Sequence, residues 1–315
     1  MKFPAHFAYW AVFIGVCGHA SSEFFAVLTG LSGPEVSVWR YLLGGLGLVV
    51  AGMALSNGAA MRAALSDGGL RFVMVSLIGV SATYLAFHWA LDFATVIQVA
   101  TVVTTIPIFV ALANWVVNGE RPGAVKLVTG ALAVLGVALL ITDGAVSDLA
   151  GAEGGAVYGV LLAAFCAAAG SFYSVLIKPD VGRHGALPVT AVSLMIGGIG
   201  LWVAVGLGWG LWVDPTTLFD RPAQQWSNIL ILALWNTTIG MLFWIGGLAA
   251  APDITRASYL FFLKPVIAAV LALFILGQPI TTLQSLAIVV VTGSVFVEMF
   301  WTRIESWRSR ATTTG

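Results

Sequence analysis

The sequence predicts an all-α integral membrane fold: ten transmembrane helices arranged as two five-helix repeats of inverted topology. Three observations carry the prediction: the composition, the length of the apolar runs, and a proline–glycine punctuation that recurs half a chain apart. Of 315 residues, 59% are hydrophobic and only 9% are charged, with a mean hydropathy of +0.98. Soluble domains carry roughly 25% charged residues, so water is not the solvent for most of this surface. Runs of about 20 apolar residues, enough at 1.5 Å rise to cross a hydrocarbon core of ~30 Å, follow one another with short interruptions.

The interruptions fall where Gly, Pro, Asp and Arg cluster, and they delimit the elements in order. Span one covers residues 6–29 and stops at Gly30; Gly33-Pro34 opens span two at 34–56. After Asp67-Gly68-Gly69 comes span three, 71–91, and beyond Asp92 span four, 95–118, which runs to Gly119. Pro122-Gly123 opens span five at 123–142, and the glycines before Gly155 open span six at 155–178. Pro179 and Gly185 precede span seven, 186–210; Pro222 precedes span eight, 226–248; Pro252 precedes span nine, 254–276; Gly277 and Pro279 precede span ten, 282–302. An even count puts both termini on one side. With that side cytoplasmic, its segments hold Lys2, Arg62, Arg71, Arg121, Lys126, Lys178, Arg183, Arg256, Arg303, Arg308 and Arg310, eleven of the fourteen basic residues. The outer loops hold Arg221 and the acids Glu35, Asp92, Asp143, Asp148, Glu153, Asp214 and Asp220. The basic asymmetry sets N-in, C-in; the acids count for little.

Span four reads Thr105-Ile106-Pro107 and reaches Gly119-Glu120-Arg121-Pro122, while span nine reads Leu263-Lys264-Pro265 and reaches Gly277-Gln278-Pro279. Each proline stands 12 residues before its glycine, and an offset of 158 superposes the two segments. Five spans per half is odd, so the second half enters the membrane from the opposite side. The expected repeats are 1–145 and 146–315, an architecture that secondary transporters use to exchange inward-open and outward-open states around a site between the halves.

Trp10 through Gly18-His19-Ala20-Ser21-Ser22, then Leu31-Ser32-Gly33-Pro34 and Arg40, together with the two proline-to-glycine segments, resemble the EamA-type ten-span members of the drug/metabolite transporter superfamily. The resemblance covers nearly the whole chain. Gln278 stands where the pattern has Glu, and His19 and Glu23 are more polar than it usually is there. The resemblance implies a secondary transporter that exports amino acids or related small metabolites, often driven by protons. Export of drugs or organic cations is the alternative within transport.

Lys264, about ten residues into its span, lies ~15 Å deep, where a lysine costs roughly 2.5–3.5 kcal/mol even on lenient scales. Two readings stand: a substrate-carboxylate or titrating site, or half of a buried pair bracing helices. Pro265 and Pro107 lack an N–H and free the carbonyls of Phe261 and Val103, which makes both positions hinges around a polar cavity. On span one, His19 and Glu23 are i,i+4 neighbours able to carry a proton. A static Glu23–Arg40 ion pair between spans one and two is the equal alternative.

Span three carries Ser81, Tyr84, His88 and Asp92 on one helical stripe, and span four continues with Gln98, Thr101 and Thr105. Read functionally, Tyr84, His88, Gln98 and Thr101 line a substrate cavity; read structurally, they hydrogen-bond between helices. Asp92 reads as outer-loop surface. Asn236, Gly240 and Trp244 on span eight and Tyr259 on span nine complete the candidate lining, and with Trp89, Trp235 and Tyr173 they make an aromatic-rich interior. The 36 glycines, dense at Gly44, Gly45, Gly47 and Gly52 and at Gly197, Gly198, Gly200, Gly206, Gly208 and Gly210, are packing contacts and not phosphate loops. Cys17 and Cys166 read as small packing residues with no metal or disulfide pattern. Glu298, near the inner end of span ten, reads as a paired or snorkelling acid. The first apolar run exceeds a signal-peptide core and has no A-x-A-like site, so cleavage is not expected.

No metal or other cofactor is expected. The expected partners are a small-molecule substrate and the lipid bilayer, with no nucleic acid, in a monomer or homodimer of the inner membrane. A membrane enzyme would need a catalytic constellation such as HExxH or a nucleophile elbow, which the sequence does not contain. A receptor or scaffold would favour sizeable extramembrane domains, whereas the loops here run to roughly 15 residues.

Reporter fusions test the orientation. Fusions at Asp148 and Phe219 are expected to score outside, and fusions at Asp67, Asp180 and the C-terminus inside. A cytoplasmic score at both Asp148 and the C-terminus would break the assignment.

Overall fold

The computed structural model describes residues 4–56, 58–149, 155–251 and 259–313. Lys2, Glu153 and Arg256 lie outside the described residues, as do the side chains of Pro107, Lys126, Asp148, Tyr259, Glu298, Arg303, Arg308 and Arg310.

The regular elements are helices throughout the described residues: α1 (Ala8–Ala20), α2 (Ser22–Leu28), α3 (Gly33–Ser56), α4 (Gly58–Ala90), α5 (Val96–Val103), α6 (Ile106–Asn118), α7 (Ala124–Leu149), α8 (Ala156–His184), α9 (Ala186–Trp209), α10 (Ala223–Leu230), α11 (Gly240–Ala250), α12 (Lys264–Ile275) and α13 (Thr282–Thr313). A π-helical stretch, Ile231–Ile239, joins α10 to α11, and a 3-10 turn, Tyr259–Leu263, leads into α12. Among the described residues six helical segments are long and apolar enough to cross a membrane, or seven if the broken pair of α5 and α6 is one span. Shorter apolar helices run at Val128–Leu140, Lys264–Ile275 and Thr282–Ser294. The outward surface is apolar as well: Leu70, Leu207 and Phe274 are each more than 70% exposed. Lipid, not water, suits such a surface, and the chain is a multi-pass membrane protein.

Several boundaries differ from the sequence reading, each for a local reason. Span one is two helices, because the chain breaks at Ser21, whose hydroxyl donates to the Cys17 carbonyl at 2.8 Å. Helix α4 begins 13 residues before the expected start, with a kink at Gly69 (φ 50°), a conformation open to glycine. Helix α8 runs on through Pro179 to a left-handed Gly185 (φ 91°). Span four breaks at Thr104-Thr105, and its two pieces meet at 42°.

The two ends of the bundle are tied by polar contacts between helix ends and the segments beside them. At one end Arg71 pairs with Asp180 at 2.9 Å and His184 lies 3.6 Å from Asp67. At the other, Arg221 pairs with Glu35 at 2.7 Å, and Gln225 donates to the Thr29 carbonyl. Asp92, read as loop surface, accepts the Gly33 amide at 2.8 and 2.9 Å and so holds the start of α3.

Helix α3 packs on α9, α4 on α8 and α9, α1 on α11, and α7 on α13. Small residues set the closest approaches. A Cβ on Gly198 would stand 2.6 Å from the Tyr41 carbonyl oxygen, and one on Gly15 would stand 2.7 Å from the Trp244 amide nitrogen. Both obstacles are backbone, which cannot rotate away. Gly198→Val is therefore expected to lower the melting temperature in detergent, at an overpacking cost of about 1–3 kcal/mol, and Gly208→Val, with open space around it, is not. Equal melting of the two variants would contradict this packing.

Candidate functional site

The breaks at Ser21, Thr104-Thr105 and Leu263-Lys264 converge on one cavity of about 430 Å³. Its walls come from α1, α2, α3, α4, α8, α11 and the segments on either side of the Thr104-Thr105 and Leu263-Lys264 breaks. Aromatic side chains dominate: Tyr41 stacks on Tyr84 with centroids 4.0 Å apart, and Trp244 and Phe261 lie 5.2 Å apart with His19 set edge-on against both.

Two basic side chains and one acid are buried at this cavity. Glu23 stands at the second position of α2, just past the Ser21 break, and Lys264 at the first position of α12, just past the 3-10 turn. Lys264 Nζ lies 2.7 Å from Glu23 Oε1, with the Glu23 side chain fully buried and Lys264 5% exposed. The ammonium also lies 5.3 Å from the Phe87 ring centroid and 5.8 Å from that of Phe261. Ser22 Oγ is 2.8 Å from the His19 carbonyl oxygen and 3.0 Å from Glu23 Oε2. It has one proton, which serves one acceptor at a time.

Arg40 is 3% exposed. Its Nε donates to Thr237 Oγ1 at 3.0 Å, and its Nη1 lies 3.2 Å from His88 Nε2. His88 Nδ1 lies 2.9 Å from the Tyr84 carbonyl oxygen and 3.0 Å from Ser37 Oγ. A carbonyl only accepts, so Nδ1 carries the proton, and Nε2 is left to accept from Arg40. The guanidinium carbon also sits 5.2 Å from the Tyr41 ring centroid. The Glu23–Arg40 pair considered from sequence is thus replaced by a Glu23–Lys264 pair. The sequence places Arg40 at the depth of Glu23 but cannot say which basic side chain the tertiary fold brings nearer.

Of the residues expected at the site, Lys264, Tyr84, Trp244 and His19 line the cavity, and Glu23 stands directly behind Lys264. His88 is fully buried on Arg40 instead. Gln98 donates to Asp143 at 3.0 Å, Thr101 bonds the Ile97 carbonyl of its own helix, and Asn236 donates to the Gly18 carbonyl and to Ser21 Oγ at 2.9 Å. The span-three stripe divides in the same way, since Ser81 donates to the Gly197 carbonyl and only Tyr84 faces the cavity. Phe87, Tyr41, Phe261 and Met241 line the cavity and were not singled out from sequence. An apolar ring in an apolar span carries no pattern that separates a wall from a lipid contact. Cys166, read as packing, is buried and borders the cavity. Pro107 and Pro265 fall in the first turn of α6 and α12, where a missing N–H goes unfelt.

Removing one partner of a buried ion pair leaves an uncompensated charge, at a cost of about 3–5 kcal/mol, whereas replacing both with neutral groups is close to neutral. Lys264→Met and Glu23→Gln are each expected to lower the melting temperature and yield, and the double variant to recover most of the loss. A double variant that melts at the summed loss of the two singles would mean that the side chains are not energetically coupled.

The model of the EamA-like transporter family matches residues 6–142 and 157–300. The uncharacterized transporter YyaM of Bacillus subtilis is 21% identical over 276 residues, 87% of each chain. An uncharacterized transporter of Clostridium kluyveri is 22% identical over 267 residues, 84% of this chain and 80% of its own. A crystal structure 18% identical in sequence superposes with a TM-score of 0.63 over 94% of this chain and 97% of that one, which makes the fold common to both. With both halves of the chain matched around a buried charged cavity, this protein belongs to the EamA-like transporter family, within the drug/metabolite transporter superfamily.

Proposed function

We propose that the chain is a ten-span secondary transporter of two inverted five-helix repeats, 1–145 and 146–315, that exports amino acids or related small metabolites by proton-coupled alternating access. In this reading both termini are cytoplasmic and the membrane is the inner membrane of a bacterium.

The repeat reading is supported by the way helix pairings recur when each span is exchanged for the one five later. Span one against eight answers to span three against six, span two against eight to span three against seven, and span four against six to span one against nine. The two family segments are of nearly equal length, and each half carries a helix restart at a proline, Pro107 and Pro265.

The observation that carries the transport reading is the Glu23–Lys264 pair at 2.7 Å beside an aromatic cavity. Charges within a membrane protein that face its interior mark substrate or ion pathways. In the proposed cycle Glu23 is the proton carrier. As carboxylate it holds Lys264; once protonated, its O–H donates to Ser22 Oγ while Ser22 donates to the His19 carbonyl, so that the proton is bound without an orphaned donor. His19, edge-on to Trp244 and Phe261, is the nearby relay, and Tyr84, Trp244 and Lys264 form part of the substrate wall.

The aromatic walls with Glu23 favour a second reading, export of organic cations, since ring faces attract cations. Flux into proteoliposomes decides between them. Amino acids, and not organic cations, are expected to move with an imposed proton gradient. Glu23→Gln is expected to abolish the pH-driven component, and His19→Ala to slow it. Flux whose pH dependence survives in both variants would remove proton coupling from the proposal, and flux of cations alone would replace the substrate class.

A further inference from the structure

The two cations of the cavity are not equivalent. Lys264 is neutralised by Glu23 at 2.7 Å. Arg40, equally buried, touches neutral groups: the Thr237 hydroxyl, the Nε2 of a His88 whose proton is on Nδ1, and the faces of Tyr41 and Phe87 at 5.2 and 6.0 Å. No salt bridge reaches it from an acid among the described residues. Cation–π contacts contribute about 2 kcal/mol when desolvated, well below the cost of burying an unpaired charge. Among the described residues, therefore, no acid forms an ion pair with the second positive charge of the cavity.

The geometry points to Arg40 as the residue that receives the anionic group of the substrate, a carboxylate on a small molecule whose apolar part lies against Tyr41, Phe87 and Trp244. This inference rests on the transport reading above and names its substrate class. Thr237 and His88 occupy Nε and one N–H of Nη1. One N–H of Nη1 and both of Nη2 remain, and a carboxylate set across Nη1 and Nη2 would engage one of each in a bidentate fork. Arg40 is among the residues that line the cavity. His88 and Thr237 act as positioning residues, because two fixed acceptors lock the plane of the guanidinium.

Lys264 is the poorer anion site. A carboxylate at its ammonium would stand against the Glu23 carboxylate, like charge against like in a low dielectric, unless Glu23 had first taken a proton. At Arg40 it meets neutral neighbours: His88 and the phenol groups of Tyr41 and Tyr84.

Binding to the purified full-length protein in nanodiscs tests this with four probes of one ring size: phenylacetate, L-phenylalanine, L-phenylalaninamide and phenethylamine. The parent is expected to bind the two carboxylates more tightly than the amide and the amine, by about tenfold or more. Arg40→Gln is expected to collapse that ratio while leaving amide binding in place. Arg40→Lys, which keeps charge but not the fork, retains part of it. The Glu23→Gln/Lys264→Met double variant, expected to fold, alters the cavity wall and is expected to weaken all four probes together while the carboxylate-to-amide ratio persists. The assignment is overturned by a parent that prefers the amide or amine, by a parent that binds neither carboxylate at millimolar concentration, by an unchanged ratio in Arg40→Gln, or by loss of the ratio in the double variant. These readouts need no flux. Carboxylate binding without transport would defeat the export reading and leave Arg40 assigned, and flux with no acid preference would defeat Arg40 alone.

Discussion

The Glu23–Lys264 ion pair is the contact on which the rest of the arrangement depends. Two charges removed from water recover their solvation only if they meet at short range, and here they meet at 2.7 Å from helices far apart in sequence. That requirement fixes the relative depth of α2 and α12. Each residue stands at a helix restart, past Ser21 on one side and past Leu263 on the other. A continuous helix would aim these side chains by its own period; a restart lets the chain re-aim them at each other.

The restarts are tolerated because the backbone groups they free stay inside protein. In hydrocarbon an unpaired carbonyl has no partner, so irregular chain is confined to places where helices or side chains supply one. Asn236 covers the Gly18 carbonyl, while the Ser21 and Thr105 hydroxyls add second bonds to the Cys17 and Val102 carbonyls, which also accept backbone amides. Thr237 and Thr238 likewise bond carbonyls five residues back along the π-helical stretch. The breaks cluster around the cavity, where small polar side chains are at hand. They also bring Thr237 opposite Arg40, so one irregular segment both satisfies its own backbone and orients a buried guanidinium.

The helical membrane class was legible in composition and run length alone, because hydrocarbon demands both of any spanning helix. Charge carried partial information about the site. Lys264, His19 and Glu23 stood out because such residues are expensive in apolar spans, and all three meet at the cavity. Polarity was a weaker guide. Gln98, Thr101, His88 and Asn236 belong to hydrogen bonds between or within helices, since a polar group in an apolar bundle serves a neighbour's backbone as readily as a solute. Phe87 and Phe261 were invisible in sequence, as an aromatic ring has the same periodicity whether it faces lipid or cavity. Partner choice was the least legible, because Glu23 sits 17 residues from Arg40 and 241 from Lys264, yet pairs with the latter.

Gln98 lies away from the cavity lining, in a polar junction with Asp143. Gln98 and Gln284 each open a helix, α5 and α13, and each uses both ends of its amide: the oxygen accepts from the backbone of Thr95 or Thr281, and the nitrogen donates to the Asp143 carboxylate at 3.0 and 2.9 Å. The Thr281 hydroxyl adds a third bond to that carboxylate at 2.7 Å. Two helix starts and the far end of α7 are therefore knotted at one point. Drawing either start away would strip its cap and its tether in the same movement, so the three segments cannot part at Asp143 without breaking several bonds at once.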